Sequence, residues 1–376
     1  MNLKIIDRIV DIPAAQWNTL AGDNPFLCHA FLLALQECGC TTAATGWQPQ
    51  FLTLWQDGQL AGAMPLYLKH HSYGEFVFDW AWAEAYHQHG LRYYPKLLCA
   101  VPFVPVAGLR ILSASAEVRT QLINEALQLA QKTGLSSFHC LFPNEQQALD
   151  MQQHGMMLRR GVQLHWHNPG YADFDGYLAA LRRDKRKKVN YERRQVKEAG
   201  IRFERIRGEQ ATDAHWEFFM RCYTRTLRLY NSPQPLNLAF FKRIGETMPH
   251  NILLIVASLN GQAIACAINF YTRHALYGRS WGTLQYHAGL HFETCYYQAI
   301  EFCIEQGITT FEGGAQGEHK LARGFLPVTT WSAHWLQHPE FSRAVENFLQ
   351  REAGSISQYV DELNDSNPFK NAARSQ

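Results

Sequence analysis

The second half of the chain carries the clearest alternation of apolar and polar segments. The apolar segments are residues 252–258, 263–271, 275–281, 291–306 and 308–311. The dipeptide Asn260-Gly261 between the first two is typical of a hairpin turn, and the fourth has apolar side chains at helical spacing up to Gly307. The pattern predicts a hairpin, a third antiparallel strand, a helix, and a strand parallel to a neighbour.

The first half repeats this order. Its corresponding segments are residues 51–56, 59–68, 74–78, 117–132 and 137–141. Asp57-Gly58 is the hairpin turn, and residues 79–113 form an insertion. We therefore predict an α/β protein with one fold used twice, as domains 1–167 and 168–376. The second domain includes a basic helix, 177–199, and a C-terminal helix, 341–363.

Composition narrows the class of protein. Of the 376 residues 47% are hydrophobic, but no run of about twenty apolar residues is present, so we expect no membrane span. The N-terminal residues lack the apolar region of a signal peptide. Nine scattered cysteines are typical of reduced thiols and predict a cytoplasmic protein. The net charge of +2 does not indicate a partner.

One segment is strongly basic. Nine lysines or arginines lie between Arg182 and Lys197. Such a helix, with Arg186 and Lys187 among its cations, attracts phosphates, RNA or an anionic surface. The alternative is a solvated helix whose long side chains cover apolar surface.

A glycine-flanked polar segment follows the last short strand. Its candidate residues are Glu312, Gly313, Gly314, Gln316, Glu318, His319, Lys320 and Arg323. Glycines at a strand end let the backbone approach a ligand and free N–H groups for an oxyanion or phosphate. The alternative is a polar surface loop.

These residues resemble a known family. The repeated hairpin–strand–helix–strand order is similar to that of GNAT acyltransferases, and its double use resembles the Fem family of peptidyl and aminoacyl transferases. The motifs that carry the resemblance are NPFLCHAFLLALQECGC at 24–40, FDWAWAEAY at 78–86, LRRDKRKKVNYERR at 181–194 and FEGGAQGEHKLARGF at 311–325. The last is similar to the Fem-like branch linked to peptidoglycan biosynthesis or recognition. The expected fold is thus a pair of tandem GNAT-like domains, each a mixed sheet flanked by helices.

The resemblance implies acyl or aminoacyl transfer to an amine, where donor and acceptor meet as the sheet splays between its fourth and fifth strands. Here those strands are residues 275–281 and 308–312, which would bring Tyr277, Arg279 and Trp281 to the site. Glu312, Glu318 and His319 are candidate bases for the amine. Backbone N–H groups of Gly313 and Gly314 are candidate oxyanion donors. Substrate contacts are expected from Gln316, and Lys320 or Arg323 would hold a phosphate or carboxylate.

The donor stays open between acyl-CoA and aminoacyl-tRNA. The stretch QYHAGLHFE at 285–293 departs from the glycine-rich pyrophosphate loop of coenzyme A-binding GNAT enzymes. Because the high charge is local, we favour a small anionic ligand over a tRNA for the basic helix. We expect no metal, and a cell-wall precursor or related amine as acceptor.

Residues 78–94 are the second candidate region. Asp79, Trp80, Glu84 and Tyr86 suit stacking and hydrogen bonding to a sugar or peptide, while Trp80 and Trp82 are also spaced for one side of a strand in the core. The alternative function is a non-catalytic module that binds peptidoglycan fragments.

Overall fold

The chain folds into two compact units. A computed structural model describes residues 1–314 and 317–370. Unit 1 comprises Met1–Val162 and Thr329–Tyr359, and unit 2 comprises Gln163–Val328 and the chain from Val360 onward. The expected division after residue 167 thus needs correction: it lies five residues earlier, and most of the C-terminal helix belongs to unit 1. The reason is that residues 332–336 supply a strand to the sheet of unit 1.

The elements up to the unit boundary are regular and mostly short. They are β1 (Asn2–Ile6), α1 (Ala14–Ala21), α2 (His29–Glu37), β2 (Trp47–Pro49), β3 (Phe51–Gln56), β4 (Gln59–Met64), β5 (Leu66–Lys69), α3 (Trp80–Gln88), β6 (Lys96–Cys99), α4 (Ala116–Lys132), β7 (Ser137–Leu141), α5 (Glu145–Gln153) and β8 (Met157–His167).

The remaining elements include one π-helical turn, Glu293–Tyr297. The others are α6 (Phe174–Ala180), α7 (Arg183–Glu198), β9 (Arg202–Arg207), α8 (Asp213–Leu229), α9 (Leu238–Thr247), β10 (Ile252–Leu259), β11 (Gln262–Tyr271), β12 (Ala275–Thr283), α10 (Leu290–Phe292), α11 (Gln298–Gln306), β13 (Thr310–Glu312), β14 (Phe325–Leu336) and α12 (Pro339–Asp365). A 3₁₀ turn covers Glu318–Arg323.

In unit 1 the strand order is β2-β5-β6-β7-β14, beside a small sheet β1-β3-β4. Strands β6 and β7 are parallel, and α4 connects them. The α4 side chains Leu122, Ile123 and Ala126 are fully buried against the sheet. This confirms the predicted helix–strand return in the first half.

In unit 2 the order is β8-β13-β12-β11-β10-β9, with only the β12–β13 pair parallel among these described strands. The predicted hairpin, third strand, helix and parallel strand are confirmed. Both hairpin turns have two consecutive residues with positive φ, +50° and +79° at Asp57-Gly58 and +51° and +76° at Asn260-Gly261. Such turns match the twist of the paired strands.

Three expectations about elements are wrong. Residues 74–78 form a loop, because Glu75 turns inward to Lys96 and Phe76 has a φ of +62°. The third strand is β6, inside the expected insertion, and Trp80 and Trp82 lie on helix α3. The basic helix is two helices, because the buried Leu181 is extended, with a ψ of 148°.

No helix in residues 1–314 and 317–370 is both long and apolar enough to cross a membrane. All nine cysteines lie among the described residues, and none of them forms a disulfide there.

Candidate functional site

The sheet of unit 2 opens between β12 and β13. Three residue pairs join these strands, the last being Tyr277 with Glu312, and β12 then continues alone on that side to Thr283. The opening forms a cavity of about 70 Å³. Its lining is Ala267, Ile268, Asn269, Gly278, Arg279, Ser280, Trp281, His291, Cys295, Tyr296 and Gly313. The sheet therefore opens between β12 and β13, the two strands that were expected to splay.

A β-bulge sets the position of Arg279 in this opening. Ile268 pairs with Ser280 but Asn269 pairs with Gly278, so Arg279 is the extra residue. The Nη2 atom of Arg279 lies 4.0 Å from Glu312 Oε2, and the two side chains are only 10% and 11% exposed. Burial lowers the pKa of Arg279 to about 10, even though Glu312 favours the charged form. The bulge therefore holds a cation in a poorly solvated place.

Lys320 is a second buried cation. Its Nζ donates a hydrogen bond to the Gly314 carbonyl at 2.7 Å, and the residue is 2% exposed. Gly313 leaves room for the stem, because a Cβ there would lie 3.3 Å from Lys320 Cδ and Cε. Burial and, to a smaller extent, the charge of Arg279 lower the pKa of Lys320 to about 8. Arg279 and Lys320 thus act on each other within one site.

Arg323 differs from its expected role of holding a substrate phosphate. Its Nε donates to the Tyr297 hydroxyl at 3.0 Å, Nη1 to the His319 carbonyl at 2.5 Å and Nη2 to Glu192 Oε1 at 2.6 Å. The Tyr297 hydroxyl also donates to Glu192 Oε2. Each guanidinium nitrogen therefore donates to the protein itself, and the 3₁₀ turn is fastened to α7.

His319 is exposed to solvent and lies beside aromatic and imidazole rings. Its Nε2 lies 3.0 Å from the Tyr296 hydroxyl, and its ring lies beside that of His291, with centroids 5.6 Å apart. His291 in turn stacks on Trp281 at 4.4 Å. Burial lowers the pKa of His319 below 6.5, and the charges of Arg323 and Lys320 lower it further. His319 is therefore a neutral imidazole at neutral pH.

The other predicted residues of this loop are distributed unevenly. Glu312 is buried, Glu318 is exposed, and Tyr277 is buried below Arg279, 5.6 Å from its guanidinium. Gln316 lies outside the described residues. Gly317 has a φ of +112°, and a Cβ there would lie 2.4 Å from the His319 ring. That glycine is required by the fold of the turn.

The site also includes four residues that the sequence pattern did not predict: His291, Cys295, Tyr296 and Glu192. His291 and Tyr296 are five residues apart and share the site because the helix includes a π-helical turn. A search at the 3.6-residue period cannot bring positions five apart to one place. Glu192 lies in a segment with nine cations, and nothing in the sequence indicates that its side chain points into the protein.

Gly289 has a structural explanation that does not involve a pyrophosphate. Its φ is +80°, and a Cβ there would lie 2.9 Å from the carbonyl oxygen of Glu192. The glycine thus allows the backbone of α7 to pack closely against the start of α10. The stretch 285–293 carries no other glycine.

The cations of α7 fall into two groups. Arg193 is held by the fold, because it bridges Glu293 at 3.1 Å and Glu301 at 2.8 Å. Lys187 and Lys188 are exposed and Arg186 is half-buried, and the ion pairs among the described residues include none of these three. Lys188 lies close enough to His319 to lower the pKa of that ring.

The second candidate region, in unit 1, is not assembled as a polar binding surface. Asp79 is buried and accepts hydrogen bonds from Lys96 and from the Tyr93 hydroxyl, the latter at 2.6 Å. Tyr86 is buried against Tyr93 and Phe341. Trp80 and Glu84 are exposed. No group of three or more possible metal ligands occurs in the part of the chain that the structure describes.

The doubled strand order and the opening at β12 define a protein with tandem GNAT-like domains, as the sequence predicted. The FemAB-like family model, described as peptidoglycan biosynthesis/recognition, matches residues 8–371. The chain therefore belongs to the FemAB-like family. A search of curated proteins by sequence found no match.

Solved structures support the fold. FemX is similar with a TM-score of 0.56 at 10% identity, over 92% of this chain and 100% of that one. L-PGS from Bacillus licheniformis has a TM-score of 0.53 at 10% identity, over 87% and 97%. The C-terminal domain of a putative lysylphosphatidylglycerol synthetase from Agrobacterium fabrum has 0.53 at 9% identity, over 90% and 95%.

Proposed function

We propose that the protein transfers an acyl or aminoacyl group to an amine at the opening of unit 2. The observation that carries this proposal is the pair of buried cations, Arg279 and Lys320, beside the cleft. Two like charges with lowered pKa values are costly to fold, and such pairs cluster at sites that receive negative charge. The tetrahedral intermediate of acyl transfer brings that charge on its oxyanion.

The residues of the site have different roles in the proposed reaction. The neutral imidazole of His319 accepts a proton from the acceptor amine, whose electron pair then attacks the donor carbonyl carbon. Lys320, Arg279 and the N–H groups of Gly313 and Gly314 stabilise the oxyanion. When it collapses, the bond to the donor breaks, the leaving group takes the electron pair, and the extra proton on the attacking nitrogen passes to the leaving group. Glu312 keeps Arg279 oriented, and Trp281 bounds the cleft.

Substitution of the three candidate bases tests these roles. We expect His319→Ala to lower turnover by roughly a hundredfold or more, the usual scale for loss of an acid–base group. Glu318→Gln should be nearly silent and serves as the matched control in the same turn, because both side chains are exposed but it is His319 that lies 3.0 Å from the Tyr296 hydroxyl in the lining of the cleft. Full turnover in His319→Ala with a large loss in Glu312→Gln would transfer the role of base to Glu312.

We propose a small anionic group of the donor or acceptor as the ligand of Arg186, Lys187 and Lys188. If an aminoacyl-tRNA is the donor, its binding should weaken steeply with salt, because a counterion is released at each phosphate contact. If acyl-CoA is the donor, the salt dependence should be shallow. Filter binding of tRNA by the wild type and by a triple Glu variant separates the two. Tight binding at physiological salt, lost in the variant, would establish the tRNA instead.

The acceptor that we propose is an amine of a peptidoglycan precursor, which family membership supports. A second candidate function is recognition of peptidoglycan fragments without catalysis. The packing of α7 against Gly289 favours it, because this glycine is not free for a pyrophosphate. Thermal unfolding with acyl-CoA, aminoacyl-tRNA or muropeptides distinguishes the two, since a ligand at a hundred times its Kd adds about 2.7 kcal/mol. Stabilisation by muropeptides alone, without turnover, would favour the binding module.

A further inference from the structure

A loop of unit 1 has the reverse of the usual polarity. Its acidic side chains, Glu75 and Asp79, are 4% and 3% exposed. The aromatic side chains between and around them point outward, and this set is Tyr73 (54% exposed), Phe76 (41%), Phe78 (58%) and Trp80 (40%). We call residues 73–80 the aromatic loop. Burying carboxylates and exposing aromatic rings both cost free energy, so folding alone does not favour this arrangement.

The inward side chains anchor the loop to fixed partners. Lys96 donates to Glu75 Oε2 at 2.8 Å and also to Asp79, and it is fully buried. Although burial by itself would raise the pKa of Asp79, the charge of Lys96 lowers it below its usual range. Asp79 is therefore ionised and compensated inside the unit, whereas burial raises the pKa of Glu75 to about 7 even though the charge of Lys96 opposes the shift.

The backbone is fastened as well. Lys69 Nζ and Trp47 Nε1 both donate to the Tyr73 carbonyl, at 3.2 Å each, and Arg159 donates to the Phe78 carbonyl at 2.7 Å. Phe76 is held at a φ of +62°, a conformation that a bulky residue rarely adopts. These contacts fix the backbone of the loop, so the exposure of the aromatic rings is not explained by a loose loop.

We propose that the aromatic loop is a docking surface that inserts into the interface of a lipid bilayer. The loop turns its polar side chains away from solvent. Ser72, Glu75 and Asp79 all turn inward to Lys96, and residues 73–80 contain no other acid; the next acid along the chain, the exposed Glu84, lies one helical turn beyond Trp80. What faces outward is phenyl, phenol and indole, the side chains that bilayer interfaces accommodate without specific hydrogen bonds.

Other occupants fit less well. Sugar recognition needs carboxylates or amides around a stacking ring, and here both carboxylates are committed inside. The Tyr73 and Trp80 rings meet at 62°, with centroids 5.0 Å apart, so they form no flat platform. A protein partner needs about one hydrogen bond per 100–200 Å², which this surface does not supply from its acidic side chains. The proposal is independent of the reaction at unit 2.

Sedimentation of the full chain with lipid vesicles tests the proposal. We expect binding to phosphatidylcholine vesicles that persists in high salt and falls roughly tenfold or more in the double variant Phe76→Asn/Phe78→Ser. Asn tolerates positive φ better than Phe, so this variant should melt at or above the wild-type temperature. The matched control is Tyr230→Ser/Tyr286→Ser, which removes rings that are 78% and 89% exposed in unit 2 and should bind as the wild type does.

Four results would overturn the proposal. The first is absence of binding to phosphatidylcholine vesicles. The second is binding only to phosphatidylglycerol-containing vesicles with release by salt, which would indicate a basic surface. The third is a wild-type dimer by light scattering that the Phe76/Phe78 variant converts to monomer, which would indicate a second copy. The fourth is thermal stabilisation by muropeptides that the same variant abolishes, which would indicate a glycan.

Discussion

Lys320 is a cation that folding alone would not place where it lies. Among the described residues its ammonium donates one hydrogen bond, at 2.7 Å to the Gly314 carbonyl, in a buried site that it shares with Arg279. A buried charge that does not stabilise the fold is retained where it is needed for chemistry. Stability and turnover should therefore respond in opposite directions when the charge is removed.

The substitution Lys320→Met tests this opposition. We expect the free energy of unfolding at pH 7 to rise by about 1–2 kcal/mol, because a desolvated charge is replaced by an apolar chain of similar length. Turnover should fall, because the oxyanion loses a donor. Urea unfolding and steady-state kinetics measure the two effects. Lys242→Met, at an ion pair with the exposed Asp213, is the control and should leave the stability nearly unchanged. Destabilisation by Lys320→Met would instead mean a structural lysine.

The pH dependence of the same comparison has a defined sign. The pKa of Lys320 is about 8 in the folded protein against 10.5 as a reference, so the unfolded chain binds more protons between these values. The stability of the wild type relative to Lys320→Met should therefore rise from pH 8 to 10.5. The advantage of the variant should be full below pH 8 and gone above 10.5. Urea unfolding at several pH values checks this, and a constant difference would contradict it.

Helix α7 acts on the site through one inward carboxylate, whereas most of its charges face solvent. Glu192 holds Arg323 and Tyr297 together, and Arg323 holds the His319 carbonyl. Helix α7 is mostly basic, yet its Glu192 also anchors the 3₁₀ turn that carries the proposed catalytic residue His319. The two glutamates of α7, Glu192 and Glu198, can therefore be compared by the same substitution.

We expect Glu192→Gln to lower the free energy of unfolding by about 3 kcal/mol, because it leaves a buried guanidinium without its counter-charge. Glu198→Gln should cost less than about 0.5 kcal/mol, since Glu198 and its partner Arg194 are 70% and 64% exposed. Turnover should fall in Glu192→Gln alone, because the His319 turn loses its support. Denaturant unfolding measures the stability of both variants, and steady-state kinetics measures their turnover. Equal losses of stability and turnover in the two variants would show that the Glu192–Arg323 ion pair does not support the His319 turn.

The elements that the sequence predicted well are those set by local chemistry. The turns at Asp57-Gly58 and Asn260-Gly261, and the strand at 137–141, need only near neighbours to form. The failures need distant partners. Glu75 is drawn inward by Lys96, 21 positions away, which converts an apparent strand into the aromatic loop. Lys320 and Glu312 were found by their residue types, and Arg279 through the splayed strands that the family resemblance implies. The π-helical turn that adds His291 and Tyr296 departs from the 3.6-residue period by which the helix was found.

Unit 1 is not continuous in the chain, because residues 329–359 complete it. Residues 332–336 of β14 pair with β7, from Ser332 with Leu141 to Leu336 with Ser137. On the same segment Leu336, Val345 and Leu349 are buried with Trp82 and Tyr86. Without these residues β7 would be an exposed edge, and three apolar side chains worth about 1.5–3 kcal/mol each would be lost.

We therefore expect a chain of residues 1–167 to lack cooperative thermal unfolding, since that loss approaches the whole stability of about 5–15 kcal/mol of an ordinary domain. The matched chain joins residues 1–162 to 329–359 by a short Gly/Ser linker. The new ends lie close together, because a Cβ on Gly161 would be 2.8 Å from Thr330 Oγ1. This joined chain should melt cooperatively with a near-ultraviolet circular dichroism signal, and the 1–167 chain should give neither. Cooperative melting of the 1–167 chain would show that the first half folds without the C-terminal segment, as a simple tandem duplication requires.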